Sequence, residues 1–287
     1  MAGTDIKLKI NIVNYEMGRF NGILSKFAIK LNEELIKLGH DSYITATPEG
    51  KSDIRHHINY LPYKYDPIYK GIDTLMITHI WKGYKLNALT EGMQTAFGIC
   101  MSGDTKKYLG RQQISAKKLF TILPAHDGLV RRHQVVAILT NIYPDGCKRE
   151  EMFTKLAETL DYNKWAFRIM GSGWKDILVP LVAKGLQVDY FAEFDYDTHK
   201  RILETSDYSL YFGEDEGSMG LLDDKNASLK LIAPNVGFNK DIGIDYPFHI
   251  QKQLNDIFKK LSVNPVESWL WSKYASEHLK IWKKLLD

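Results

Sequence analysis

The chain has 287 residues, 44% of them hydrophobic, with 38 basic and 35 acidic side chains and a formal net charge of +3. That length sets a prior of two modest domains with room for a sizeable core, and so even a balance gives no argument for nucleic acid from net charge. Cys100 and Cys147 are the only cysteines, which excludes a disulfide framework or a thiolate zinc site and fits a reducing compartment. No run approaches the roughly 18–20 apolar residues of a spanning helix, and the first residues lack an apolar signal core. The expectation is a cytoplasmic protein, with peripheral membrane contact left open.

Residues 6–15 alternate and are rich in Ile and Val, which predicts a first strand. A glycine-containing turn follows. Ile23, Phe27, Leu31, Leu35 and Leu38 then recur at helical spacing, and Gly39 stands where a left-handed cap ends a helix. Residues 40–45 resume as a strand. This opening is Rossmann-like, but Gly18 to Gly22 is not GxGxxG, and no acid closes the second strand in the dinucleotide pattern. Gly22 at the helix start lets an anionic group approach the amide dipoles; the plainer reading is that Gly18 and Gly22 only allow a tight turn. Residues 50–70, polar with Tyr and Pro, read as a loop or an irregular strand. A strand over 74–80 ends in His79, a mixed helical pattern covers 81–96, and a strand covers 96–101. Ser102 or Asp104 caps the next helix. A strand over 118–123 leads into Pro124-Ala-His-Asp-Gly128. His79 and His126 thus stand at strand ends, where α/β proteins carry active-site residues. A lone histidine is more often structural.

The pattern restarts near Gly128. A strand over 134–140 leads into a polar turn from Asn141 to Arg149, with Lys148 and Arg149 adjacent. Phe153, Leu156, Ala157 and Leu160 mark a helix. A strand over 165–170 closes on Gly171-Ser-Gly173. A helix (177–183), a strand (187–191) and a helix capped at Asp197 (197–205) precede a buried strand over 208–212. Next comes Gly213-Glu-Asp-Glu-Gly-Ser-Met-Gly220, then a helix over 221–227 and a strand over 229–234. Amphipathic helices over 250–261 and 266–286 finish the chain. Strands alternating with helices on both sides of residue 128 predict an α/β protein of two Rossmann-like, parallel-sheet domains facing across a cleft. The boundaries are 1–128, 129–265 and a closing helix over 266–287.

The acidic loop lies at the carboxyl end of a strand, where open α/β sheets bind ligands. Lys148 and Arg149 supply cations for a diphosphate. Cations are disfavoured at a helix N-terminus, so a ligand role gains over an ordinary solvated helix end. Gly217, Ser218, Met219 and Gly220 offer amides at a helix start, which favours phosphate. Glu214, Glu216, Asp223 and Asp224 accept hydrogen bonds from hydroxyls; four acids around the glycines exceed what capping needs. Asp195-Tyr-Asp197 has the DxD spacing of some metal sites but reads better as a loop and helix cap.

These residues carry a resemblance. Glu216-Gly-Ser-Met-Gly-Leu-Leu-Asp-Asp224 resembles, in order and chemistry, the Glu-Gly-x-Gly-x-x-x-x-Glu-Ala motif of GT-B retaining glycosyltransferases of family 4, also called glycosyl transferases group 1. Ser228 to Pro234 is similar to the strand that follows in that family, Gly171-Ser-Gly173 to its Gly-x-Gly, and Asn141 to Arg149 occupies the place of its phosphate element. Gly18 to Gly22 and Leu38-Gly-His-Asp41 resemble its N-terminal glycine loop and Gly-His pair. The resemblance implies the GT-B fold, with the final helix crossing back to an acceptor-side N-terminal domain. It implies transfer from a UDP- or GDP-sugar to an acceptor hydroxyl with retention, without cofactor or metal. Glu216 would contact the donor sugar, Asp223 or Asp224 the ribose, and Lys148, with Arg149, the diphosphate; His79 or His126 would orient sugar or acceptor. Surface polysaccharide or lipopolysaccharide synthesis is the expected role. The acceptor, whether saccharide, lipid-linked or nucleic acid, stays open. Alternatives are glycosylation of a modified nucleic-acid base, another enzyme on the same fold such as an epimerase or phosphorylase, and a non-catalytic nucleotide-sugar binder.

Overall fold

Two parallel sheets of six strands organise the chain in the computed structural model, which describes residues 6–17, 22–128, 132–214 and 218–287. The chain divides into two units, Met1–Gly128 with Val266–Asp287, and Leu129–Pro265. Among the described residues no helix is long and apolar enough to cross a membrane.

The first unit runs β1 (Lys9–Val13), α1 (Ile23–Lys37), β2 (Asp41–Thr45), β3 (Ile54–His57), β4 (Ile72–Ile77), α2 (Gly83–Gly92), β5 (Phe97–Cys100), α3 (Gly103–Arg111) and β6 (Leu119–Thr121). Its sheet order is β2-β1-β3-β4-β5-β6, parallel throughout. Ile10, Ile12, Ile54 and Met76 share a core with Phe27, Leu31 and Leu35 of α1. The C-terminal helix (Trp271–Leu286) joins that core through Trp271, Tyr274, Ala275, Leu279 and Trp282. Their spacing of three and four is the stripe that makes a helix bury one face. The helix starts at Trp271 and not at 266, because His126 N–H donates to the Trp269 carbonyl at 2.9 Å and His126 bridges to Leu270. Backbone committed to that bridge cannot join a helical ladder.

Of the loop or irregular strand expected over 50–70, residues 54–57 form a regular strand, β3. Its sequence, Ile-Arg-His-His, is polar, yet all four residues are buried and pair in register with β1 and β4. Buried polar groups need partners, and each of the three polar side chains has at least one. Arg55 donates from Nε to the Glu49 carbonyl (2.9 Å), pairs with Asp66 (3.1 Å) and stacks 3.6 Å above the Tyr69 ring. His56 Nδ1 meets Thr74 Oγ1 at 2.9 Å. His57 sits between Asp73 Oδ1 (2.8 Å) and the Tyr15 hydroxyl (2.9 Å). In α3, Ser102 is the cap, accepting from the Thr105 N–H at 3.1 Å.

The second unit runs β7 (Gln134–Leu139), α4 (Glu151–Ala157), β8 (Trp165–Met170), α5 (Lys175–Ala183), β9 (Gln187–Phe191), α6 (Tyr196–Thr205), β10 (Tyr208–Leu210), α7 (Gly220–Asn226), β11 (Lys230–Ala233), α8 (Asn239–Ile242), β12 (Tyr246–Pro247) and α9 (Gln251–Leu261). Its order is β12-β11-β10-β7-β8-β9, again parallel. Val136, Ile138, Phe153, Phe167, Trp174 and Phe258 lie in its main core. The cap of α6 is Asp195, not Asp197: the Asp195 carboxylate accepts the Thr198 N–H at 2.8 Å from an extended backbone. In this sheet the chain winds from β7 outward to β9, then returns to place β10 on the other side of β7. The loops after β7 and β10 therefore leave the sheet in opposite directions, and the crevice at such a switch point is where α/β sheets bind ligands.

Candidate functional site

The loops after β7 and β10 meet at that switch point. Lys148 Nζ donates to the Tyr211 hydroxyl at 3.2 Å and lies 5.4 Å from its ring centroid. Arg149, next in the chain, pairs with Glu214 and donates to the His249 carbonyl at 2.8 Å. Its backbone is left-handed, with φ of +52°, which costs a residue bearing a Cβ about 1 kcal/mol. Arg149 joins the loop after β7 to Glu214 and to the backbone ahead of α9, and Lys148 joins it to Tyr211 of the loop after β10. Glu214, one of the four acids of the loop, is a carboxylate that holds Arg149.

A groove of about 320 Å³ opens beside the same strand ends. Its wall is Leu139, Thr140 and Asn141 at the end of β7, Met170 and Gly171 at the end of β8, Phe194 between β9 and α6, Tyr196 and His199 of α6, and Gly220 and Asp223 of α7. Oδ1 of the Asn141 side chain accepts from the Ser172 N–H (2.8 Å) and hydroxyl (3.2 Å), and the Ile142 N–H donates to the Ser172 carbonyl (2.9 Å). This contact explains both glycines of Gly171-Ser-Gly173. At Gly171, φ is +141° and a Cβ would stand 2.2 Å from the Thr140 carbonyl oxygen; at Gly173, φ is +89° and a Cβ would stand 2.9 Å from the Cβ of Ile142. Of the two only Gly171 is on the groove wall. Gly173 serves the packing of one loop on the other.

The two candidate ribose acids separate. Asp223 is exposed and lines the groove. Asp224 is 2% exposed, accepts a hydrogen bond from the Ser209 hydroxyl, and has no partner for Oδ1 among the described residues. Burial pushes its carboxyl up to about 6, against the lowering effect of the Ser209 bond. Glu216 and Gly217 lie outside the described residues. Gly220 lines the groove and Met219 is exposed, while the Ser218 N–H donates to Asn239 Oδ1 at 3.3 Å. Asn239, fully buried, also donates to the Pro234 carbonyl at 3.0 Å. It thereby ties the loop after β11 to the start of α7, a role no sequence signal suggested.

Sequence reasoning also passed over the aromatic rim. Phe194 and Tyr196 are 60% and 80% exposed, their ring centroids are 5.0 Å apart, and His199 lies 5.5 Å from Phe194. The available signal was three rings within six residues at a strand-to-helix turn.

The remaining candidates belong to the first unit. His79 lies just beyond β4, exposed, with φ of +33°, and its carbonyl accepts from the Tyr60 hydroxyl at 3.3 Å. His126 is engaged on both ring nitrogens. Nδ1 accepts the Gly128 N–H at 3.0 Å, so Nε2 carries the proton and donates to the Val266 carbonyl at 2.7 Å. That stitches the returning C-terminal segment to the loop after β6. Gly22 caps α1 with an extended backbone and no left-handed φ.

No protein-family model matches the chain, and no curated protein matches it. Solved structures do. One is a mutant of S. aureus TarM in complex with fondaparinux, alpha-GlcNAc-glycerol and UDP: 13% identity, 92% of this chain, 59% of that one, TM-score 0.39. Others are a glycosyltransferase from Rickettsia africae (11%, 99% and 100%, TM-score 0.37) and Anabaena Alr3699/HepE with UDP and glucose (11%, 98% and 96%, TM-score 0.37). The chain spans 59% of the length of TarM. Likenesses at this level carry no argument about what the chain does.

Proposed function

We propose that this chain is a glycosyltransferase that moves a sugar from a nucleotide-diphosphate sugar, UDP- or GDP-linked, to an acceptor hydroxyl with retention of configuration. The observation that carries the reading is the groove at the switch point of the second unit, lined by the exposed Asp223, together with Lys148 at the junction of the β7 and β10 loops. A diphosphate needs a cation, a ribose needs a carboxylate acceptor for its hydroxyls, and a base needs flat apolar surface. Lys148, Asp223, and Phe194 with Tyr196 offer these in turn, and the motif reserves Glu216 for the donor sugar.

In this mechanism the acceptor oxygen attacks the anomeric carbon on the face from which the diphosphate departs. The anomeric C–O bond breaks, and the acceptor proton passes to a leaving phosphate oxygen. The protein works by positioning and by stabilising charge on the leaving diphosphate. The proposal invokes neither resident cofactor nor metal, and extends to surface polysaccharide or lipopolysaccharide synthesis on the cytoplasmic side. The test is thermal stability with UDP, GDP and their sugars, since a ligand that binds only the folded state raises it, followed by anomer analysis of the product. A stabilising nucleotide and a retained anomer are expected. No response to any nucleotide sinks the donor assignment, and an inverted product sinks the mechanism.

A further inference from the structure

The carboxyl end of the first sheet carries aromatic surface that no role above uses. Trp81, four residues past β4, is 74% exposed, and Tyr84 is 62% exposed, whereas Ile80 beside them is buried. The Trp81 ring touches that of Tyr108 from α3, with centroids 5.2 Å apart and planes at 53°. An indole left mostly in water forgoes burial that would stabilise the fold, and clustered exposed apolar surface marks interaction sites. The same turn holds His79 in a left-handed backbone, a strain that concentrates at ligand clamps. Lys82, Lys85, Lys106, Lys107 and Arg111 lie on the two segments that bring the rings together, against only Glu91 and Asp104, and Asp104 is 3.9 Å from Lys107.

We propose that Trp81 and Tyr108 form a stacking platform for one ring of an acidic saccharide, whose carboxylate or phosphate is drawn by Lys82, Lys85 and Lys106. The rings are in tilted contact, so they leave an open indole face and no slot between them. Readers of single-stranded nucleic acid stack successive bases along a cation-lined groove. A pyranose instead lays the C–H bonds of one face on a single ring, where their positive hydrogens meet the negative π face. The inference rests on the transfer reading only in calling this saccharide the acceptor; the binding itself belongs to the first unit.

The test follows the Trp81 indole N–H by 15N NMR, assigned by its loss in Trp81→Ala, while the full chain is titrated with trigalacturonate, maltotriose or oligothymidylate. Trigalacturonate is expected to bind about fivefold tighter than maltotriose, the worth of one exposed charge contact, and ~0.5 M salt should erase that preference. Read by calorimetric titration, which does not need the indole signal, Trp81→Ala should abolish binding of both and Trp81→Phe should restore part of it; Lys82→Ala with Lys85→Ala should remove only the acid preference. Tighter binding of oligothymidylate, unchanged binding by Trp81→Ala, or no binding of either saccharide overturns the proposal. Lys148→Ala, aimed at the donor, should leave these titrations unchanged. If saccharide binds while no nucleotide does, the transfer reading fails and the platform stands.

Discussion

The Ser209 hydroxyl of β10 donates to Oδ2 of Asp224 in α7, and this bond decides between two adjacent carboxylates. Asp224 faces the protein and Asp223 the groove. Asp223→Asn should therefore weaken nucleotide binding about tenfold, the loss of one good charge-assisted hydrogen bond, whereas Asp224→Asn should leave it within about twofold. Calorimetric titration with the stabilising nucleotide measures both. The reverse ranking would mean that α7 presents a different face to its ligand.

Asp224 also sets a pH dependence. Its folded carboxyl is raised from 3.8 to about 6 by burial, so the folded state holds the proton more tightly than the unfolded one. Its contribution is most favourable below the unfolded value, declines as pH climbs from about 4 to about 6, and is flat above. The loss is on the order of 3 kcal/mol. Asp224→Asn should flatten the slope and stabilise the second unit at pH 7. Hydrogen exchange of the β10 amides at both ends of that range reads it, and an unchanged slope in the variant would exclude Asp224 as the cause.

Much of this arrangement was legible in the sequence, and the failures share a cause. Strands such as β8 and β9 are apolar or alternate, and their ranges match the expected ones residue for residue. β3 was hidden because Arg55, His56 and His57 become strand residues only once Asp66, Thr74 and Asp73, distant in sequence, satisfy them. The same holds at the site. Lys148 and Gly171 were singled out by type and position, while the sequence left Asp223 and Asp224 as equal candidates. That Arg149 is held by Glu214, that Asp224 turns inward, and that Asn239 ties two loops are facts of three-dimensional pairing, to which periodicity is blind.

His278 and His56 give the first unit the opposite pH response. Their rings are 5.0 Å apart, both are fully buried, and neither Nε2 has a partner among the described residues. Burial lowers His278 from 6.5 to about 4 and His56 well below its ordinary value. Protonation favours the unfolded state, so stability is complete above pH 6.5 and declines as pH falls toward 4. For His278 alone the loss is on the order of 3 kcal/mol. His278→Met, close in volume, should shallow that decline. Protection of amides in the C-terminal helix between pH 4 and 7 is the measurement, and equal slopes in both proteins would clear His278.

Gly171 separates packing from ligand contact. An alanine there would need φ of +141° and would set its Cβ 2.2 Å from the Thr140 carbonyl oxygen, so either β7 or β8 must yield at its end. Gly171→Ala should cost about 2–4 kcal/mol, the range for overpacking combined with a forbidden backbone, and nucleotide binding should fall with it. A glycine kept only for ligand access would behave otherwise, leaving stability intact and lowering affinity alone. Chemical denaturation and nucleotide titration of the same preparation distinguish the two.

Lys148→Ala carries the donor assignment to its sharpest point. The ammonium donates to the Tyr211 hydroxyl and lies over its ring, and a half-buried contact of that kind is worth about 1 kcal/mol to the fold. If its purpose is structural, the substitution lowers stability by at least that amount and leaves nucleotides alone. If it meets a diphosphate, the loss appears in binding and grows with ligand charge. Affinity for the nucleoside diphosphate should fall about tenfold or more, that for the monophosphate less, and that for the uncharged nucleoside not at all. Tyr211→Phe removes the hydroxyl while keeping the ring, and should change diphosphate affinity by no more than about threefold. Equal losses across the three ligands would place Lys148 outside the phosphate site.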